Sequence, residues 1–184
     1  MDEQTAIQRL KRGDIGGLDL LVHRYQVKAV RTAYLVTHNA ALAEDVVQES
    51  FIQAYRAIGG FDAGRPFEPW FLQSVVHAAL KAAQKAERQV LVEPGSDEPW
   101  FEDLLGWAES AEAEAETAAF QQEIWDALQR LSPRQRAVVV QRYFLEMSEK
   151  DMAAQIGAAP GTVKWLLNAA RSRLRILLGR RSVE

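Results

Sequence analysis

The chain has 184 residues, 22 basic against 25 acidic for a formal charge of −3, and 48% apolar residues, the balance of a soluble globular protein of one ordinary domain or two small ones. With no cysteine in the sequence, disulfides, cysteine-ligated zinc and direct thiol sensing of redox state are excluded. The start MDEQTAIQRLKRGD has no apolar run, and no stretch approaches the ~18–20 apolar residues that span a bilayer; a cytoplasmic protein with no membrane insertion of its own is expected.

The net charge hides a segregation. Residues 1–88 hold 11 basic and 10 acidic groups, residues 89–129 hold 11 acidic groups and no basic one, and residues 130–184 hold 11 basic and 4 acidic groups, a balance of +7. Such a pattern fits a nucleic-acid-facing C-terminal module behind an acidic spacer, or a solvated charge pattern with no further meaning.

Taken in chain order, the elements read as an all-α protein, because apolar residues recur at three and four and no period-two alternation is sustained. Between Leu42 and Ile58 the apolar stripe is Leu42, Val46, Val47, Phe51, Ala54, Tyr55 and Ile58. Asp45, Gln48, Glu49, Gln53 and Arg56 fall largely off it, which predicts a helix with a polar exposed side. Gly59-Gly60 stops that helix, FDAGRP is a loop, and a further helix is predicted from about Pro69 to Arg88. Residues 90–119 contain two prolines and the run AEAEAE and read as a linker with some helical tendency. Within it Trp100, Phe101, Leu104, Leu105 and Ala108 recur at helical spacing.

Two helix starts are explicit further on. Ser132-Pro133-Arg134-Gln135 offers an N-cap serine, proline at the first helical position and glutamine at the third. Ser148-Glu149-Lys150-Asp151 is a similar start with acids in the first turn. That second helix ends at Gly157, and Pro160 opens a longer one whose apolar positions are Val163, Leu167, Ala170, Leu174 and Leu177. A short helix, a glycine turn and a long helix on a basic background is the pattern of a helix-turn-helix; a plain helical hairpin is the alternative.

The stretch AEDVVQESFIQAYRAIGGFD with FEPWFLQSVV, and the earlier GDIGGLDLLVHRY, resemble sigma domain two of extracytoplasmic-function sigma factors. ALQRLSPRQRAVVVQRYFLEMSEKDMAAQIGAAPGTVK resembles their sigma domain four. The resemblance implies two small helical domains, domain two over residues 1–89 and domain four over residues 120–184, joined by an acidic linker over residues 90–119. It implies a non-enzymatic subunit that binds core RNA polymerase and promoter DNA, needs no cofactor or metal, and is held by an anti-sigma factor.

Residue by residue, the resemblance places polymerase docking on Asp45, Gln48, Glu49 and Gln53, polar groups that helical spacing puts on neighbouring turns. Phe51, Tyr55, Trp70 and Phe71 read as core. It places contact with the melted −10 strand on His77, Lys81, Gln84, Lys85 and Arg88. The family usually has asparagine in place of His77, aspartate in place of Lys81 and arginine near Gln84, so base readout there departs from the pattern while a basic stripe for phosphates is kept. His77 reads equally as a base contact or as a satisfied histidine.

The −35 element falls to Thr162, Lys164, Trp165, Asn168, Arg171 and Arg175 of the last helix, entering the major groove. Gly161, Thr162, Val163 and Lys164 match the family; Trp165-Leu166 stands where a serine-arginine pair is usual, Ala169 replaces an arginine, and Ala159 replaces a polar N-cap. Helical phase points Trp165 and Leu166 partly outward, toward thymine methyls, a protein partner, or a covering tail or linker. Arg134, Arg136 and Arg142 read as phosphate-contacting or structural. In the family the linker threads the polymerase active-site cleft and RNA exit channel, where its acids would mimic phosphate; a solubilising spacer is the plainer reading.

Enzyme chemistry finds no support: there is no phosphate loop or nucleophile constellation, and His23, His38 and His77 lack metal-ligand spacing. Two non-enzymatic alternatives stand beside the sigma reading. One is a free-standing helix-turn-helix regulator of an operator; the other is a sigma-like co-regulator that docks on polymerase but has lost promoter reading.

Overall fold

A computed structural model of the chain describes residues 2–89 and 114–179. The aromatic stretch at Trp100, Phe101, Leu104, Leu105 and Ala108, with most of the acidic segment, lies outside the described residues. Among the described residues, eight α-helices run in chain order: α1 (Glu3–Lys11), α2 (Leu18–Thr37), α3 (Ala40–Ala57), α4 (Phe67–Gln89), α5 (Glu114–Gln129), α6 (Pro133–Val139), α7 (Glu149–Ile156) and α8 (Pro160–Gly179). The described residues contain no strand, as the all-α reading required.

The first four helices form a bundle with α2 at its centre, packed against α1, α3 and α4. Local chemistry sets their ends. The Asp2 carboxylate accepts from Thr5 N at 2.7 Å to start α1, and Asn39 Oδ1 accepts from Leu42 N at 2.8 Å to start α3, each satisfying an orphan first-turn amide. Gly17 lets α1 and α2 touch: a Cβ there would lie 2.4 Å from the Ala6 carbonyl oxygen. The Gly59-Gly60 stop is a single 3₁₀ turn over Ile58–Gly60.

An aromatic cluster fills this bundle. Phe51 and Phe71 have centroids 4.4 Å apart, and Phe67 sits 5.6 Å from Phe71 and 5.7 Å from Phe61. Phe67 and Phe71 are essentially inaccessible, each burial being worth about 1.5–3 kcal/mol. Tyr55 and Trp70 are only partly buried at its edge.

Helix α5 begins at Glu114 within the AEAEAE run, in the stretch read as a linker with some helical tendency. The box at Ser132 forms as expected: Gln135 N donates to Ser132 Oγ at 3.3 Å while Ser132 N donates to Gln135 Oε1 at 3.0 Å. After α6 the backbone opens into a π turn over Val140–Phe144, where Leu145 N reaches the Val140 carbonyl at 3.0 Å. Ser148 caps α7, and Gly157, at φ +61°, closes it with its amide on the Ala153 carbonyl; a residue without Cβ takes that left-handed conformation at least cost. Met152, Val163 and Leu167 form the small core between α7 and α8, and α5 lays Leu128 beside Leu131 and Ala170 of the same module.

The two modules share a core. Trp125, Ala137 and Val140 are buried in the same apolar cluster as residues of α2, α3 and α4. Trp125 stacks on Tyr34 at 4.8 Å and meets the His38 ring at 4.6 Å. Arg136, buried, donates from Nε to the Val36 carbonyl at 2.7 Å and from Nη1 to the Leu131 carbonyl at 2.7 Å. Of the two readings left open for Arg136, the structural one holds. Arg142 is likewise engaged, its Nη1 donating to the Met147 carbonyl at 2.9 Å.

Candidate polymerase and nucleic-acid interface

Three surfaces carry the residues singled out in the sequence. On α3, Asp45, Gln48, Glu49 and Gln53 are all exposed, because Val46, Val47, Ser50, Phe51 and Ala54 occupy the buried side. Gln53 Nε2 donates to Glu49 Oε1 one turn earlier, which fixes the two side chains relative to one another. Ile52 stands 43% exposed among them. The sequence reading passed over it; the signal was an isoleucine lying off the apolar stripe, an apolar contact point inside a polar face.

On α4, His77, Lys81, Gln84, Lys85 and Arg88 follow one another along the face opposite Val75, Val76, Ala79, Leu80 and Ala83, which are buried. Lys81, Lys85 and Arg88 are exposed, while His77 and Gln84 are half-buried. Partial burial, helped by the nearby Lys81 ammonium, lowers the His77 pKa below its ordinary value, so at neutral pH its imidazole is uncharged, able to donate from one nitrogen and accept at the other.

The α3 and α4 faces meet in one open cleft of about 670 Å³. Glu49 and Gln53 line one side, Trp70, Ser74, His77 and Lys81 the other, and Gln155 of α7 borders it from the second module. The structure thus brings half of the docking residues together with two of the strand-contact residues. Asp45 and Gln48 lie beyond the lining, as do Gln84, Lys85 and Arg88.

The third surface is α8, with four basic residues and no acid. Thr162, Lys164, Trp165, Asn168, Arg171 and Arg175 are all exposed. Trp165 is 67% exposed, but Leu166 is only 9% exposed and belongs to the small core. The outward Trp-Leu pair expected from helical phase is therefore corrected to a lone tryptophan: Leu166 is drawn in because the core of α7 and α8 reaches around to its side of the helix. Arg171 is held, donating from Nε to Tyr143 Oη at 2.7 Å with its guanidinium 5.8 Å from that ring's centroid. Tyr143 and Phe144, exposed on the π turn beside this helix, were not foreseen; only a straight continuation of α6 would have been read from periodicity.

Sigma-70 region 2 matches residues 21–89 and Sigma-70 region 4 matches residues 121–174. The chain is 32% identical over 167 residues to the ECF RNA polymerase sigma factor SigM of Mycobacterium tuberculosis, covering 91% of this chain and 80% of that one. It is 29% identical over 179 residues to the RNA polymerase sigma-H factor of Pseudomonas aeruginosa, covering 94% of this chain and 91% of the relative. Among solved structures, the sigma factor RpoE of Bartonella quintana in complex with the anti-sigma factor NepR superposes with a TM-score of 0.63 at 23% identity, over 88% of this chain and 96% of that one. CnrH in complex with the cytosolic domain of CnrY gives 0.58 at 22% identity, over 97% and 98%. At these identities the structural likeness speaks to fold.

Proposed function

The chain belongs to the extracytoplasmic-function RNA polymerase sigma factors, and from that premise we propose how its surfaces divide the work of promoter-directed transcription initiation. Residues 1–89 serve as domain two and residues 120–184 as domain four, with the acidic stretch of residues 90–119 between them. Core polymerase docks on Asp45, Gln48, Glu49 and Gln53 around the exposed Ile52. A polar face of this kind sets register and on-rate by charge complementarity, while Ile52 supplies an apolar centre.

The adjoining stripe of Lys81, Lys85 and Arg88 takes the phosphates of the melted −10 strand, with neutral His77 offered to a base from the cleft wall. Unstacking a base costs a few kcal/mol, which contacts of this sort must offset. Through α8, Lys164, Asn168, Arg171 and Arg175 meet the −35 element, the Tyr143 hydroxyl holding Arg171 in place, and Trp165 offers an apolar surface to a thymine methyl. The subunit contributes binding and not chemistry, acts in the cytoplasm beside polymerase, and is held in check by an anti-sigma factor, the class of partner named for the B. quintana relative.

The single observation that carries the reading is the exposed acidic-amide face of α3 opening into the same cleft as His77 and Lys81, which joins polymerase docking to strand capture. The test is co-elution with core RNA polymerase on gel filtration. The unmutated chain is expected to co-elute. Asp45→Arg with Glu49→Arg reverses two charges on an exposed face and is expected to abolish co-elution without altering the circular dichroism of the chain. Retained co-elution would remove α3 from the docking surface.

A further inference from the structure

Helix α8 carries one large side chain on its outermost line. Val163, Leu166, Leu167 and Ala170 turn into the module. At about 3.6 residues per turn, the line opposite them passes through Gly161, Trp165, Asn168 and Ser172, all of them exposed. Trp165 is 67% exposed, while Leu166 beside it is drawn into the core. The next strongly exposed large apolar residue on the helix is Ile176, about 16 Å further along the axis. Tyr143 stands at the Arg171 flank, where its hydroxyl is engaged. A protein-docking surface takes a contiguous apolar patch of a few hundred Å²; one indole among glycine, asparagine and serine does not make one.

The flanks of that line are cationic. Lys164, Arg171 and Arg175 follow one another along one side and Arg173 lies on the other, with no acid anywhere in α8. Cations so placed take phosphates on the two walls of a groove and fix the helix between them, which leaves the central line for base edges. The indole has one polar atom, an N–H that only donates, and is otherwise apolar carbon. The apolar feature of the major groove is the C5-methyl of thymine. Uracil differs from thymine by lacking that methyl, and 5-methylcytosine carries the same group at the same ring position. We propose that Trp165 contacts the C5-methyl of one base in the −35 element, so that this chain distinguishes thymine from uracil there and binds 5-methylcytosine more tightly than cytosine. The inference rests on the reading of α8 as the −35 helix and adds to it a sensitivity of promoter occupancy to cytosine methylation. Burial of one methyl corresponds to about a 3- to 5-fold change in affinity.

The experiment uses the full chain reconstituted with core RNA polymerase. Selection from a pool of random-sequence duplexes first yields the upstream element that this complex binds. At each pyrimidine of the element, thymine, uracil, cytosine and 5-methylcytosine are then placed in turn in a synthetic duplex, each opposite its complementary purine. Kd is measured for the parent, for Trp165→Ala and for Lys164→Ala. Alanine is the best helix former and both side chains are exposed, so circular dichroism should not distinguish the three chains.

At one position the parent is expected to bind thymine about 3- to 5-fold more tightly than uracil, and 5-methylcytosine more tightly than cytosine by the same factor. Trp165→Ala should bind the two members of each pair equally. Lys164→Ala should weaken binding to every duplex and reduce the salt slope by about 1 while keeping both ratios, since a phosphate contact carries no information about a methyl. No methyl effect at any position, or one that survives Trp165→Ala, would overturn the proposal. So would a Trp165-dependent preference for guanine without a methyl effect, in which the indole acts through its N–H. Failure of the pool to yield any upstream element would overturn the −35 reading of α8 itself, an outcome distinct from an element bound without regard to its methyl groups.

Discussion

Replacing Arg136 by methionine keeps an unbranched chain of similar length and removes every donor. Two carbonyls lose a partner at 2.7 Å, Val36 in the last turn of α2 and Leu131 just beyond α5, and the Gln129 carbonyl loses a longer one at 3.4 Å. The Val36 carbonyl is among the last four of its helix and has no intrahelical donor to return to. Leaving a buried carbonyl unpaired costs about 1–3 kcal/mol, and relief of the buried guanidinium's desolvation offsets part of the sum, so a net loss of about 2–4 kcal/mol is expected. Burial, which lowers the Arg136 pKa from its ordinary value while the Glu87 charge opposes the change, is the source of that offset. In urea at pH 7, with a slope of about 2 kcal/mol/M, the midpoint should fall by about 1–2 M. Arg136→Lys, whose single ammonium cannot span both carbonyls as a planar fork does, should recover about half of the loss. A midpoint within about 0.25 M of the parent for the methionine variant, or a lysine variant equal to the parent, would refute the bridging role.

Three further predictions concern other links in the chain. Burial, reinforced by the nearby Arg136 charge, pulls the His38 pKa down to about 3 from its ordinary 6.5. The unfolded chain therefore binds the extra proton between those values, and stability is lost as pH falls from about 6.5 toward 3. By linkage the loss between pH 7 and pH 5 is about 2 kcal/mol, read as the difference in urea midpoints between the parent and His38→Asn at the two pH values; parallel pH profiles would refute it. Gly17→Ala drives a Cβ to 2.4 Å from the Ala6 carbonyl and should cost about 1–3 kcal/mol, seen as a lower Tm, whereas an unchanged Tm would show that α1 is not held against α2. Tyr143→Phe removes the acceptor for Arg171 and should weaken duplex binding about 2- to 5-fold without changing its salt dependence, while Arg171→Ala should reduce the salt slope by about 1; fluorescence anisotropy across a KCl series separates the two, and a changed slope for the tyrosine variant would contradict the positioning role.

What the sequence disclosed was whatever is encoded locally. The cap residues Ser132 and Ser148, the stop at Gly157 and the apolar stripe of α3 each act within one or two turns, and the structure forms them where they were read. Helical phase alone resolved exposure less well. Trp165 and Leu166 are adjacent, and only the width of the α7–α8 core decides that one is inside and the other out. The π turn over Val140–Phe144 shifts the facing of Tyr143 and Phe144 by a residue, and periodicity counted at 3.6 cannot announce such a shift. The contact between the two modules was invisible for a different reason. Val36 and Arg136 are 100 residues apart, the acceptor is a backbone carbonyl that carries no residue signature, and a lone arginine in a basic module looks like a phosphate contact. The candidate site followed the same division: the α3 face and the α4 stripe were readable one helix at a time, whereas their meeting in one cleft, bordered by Gln155, is a tertiary fact.

The central claim is that this chain directs polymerase to specific start sites, and mapping RNA 5′ ends tests it most directly. Core RNA polymerase with the purified chain would transcribe fragmented genomic DNA from the source organism, beside a matched reaction containing Asp45→Arg with Glu49→Arg. Start sites that share −35 and −10 elements upstream and vanish in the matched reaction are expected. Stable polymerase binding by the unmutated chain with no specific starts would contradict it, leaving a protein that docks on polymerase without reading promoters.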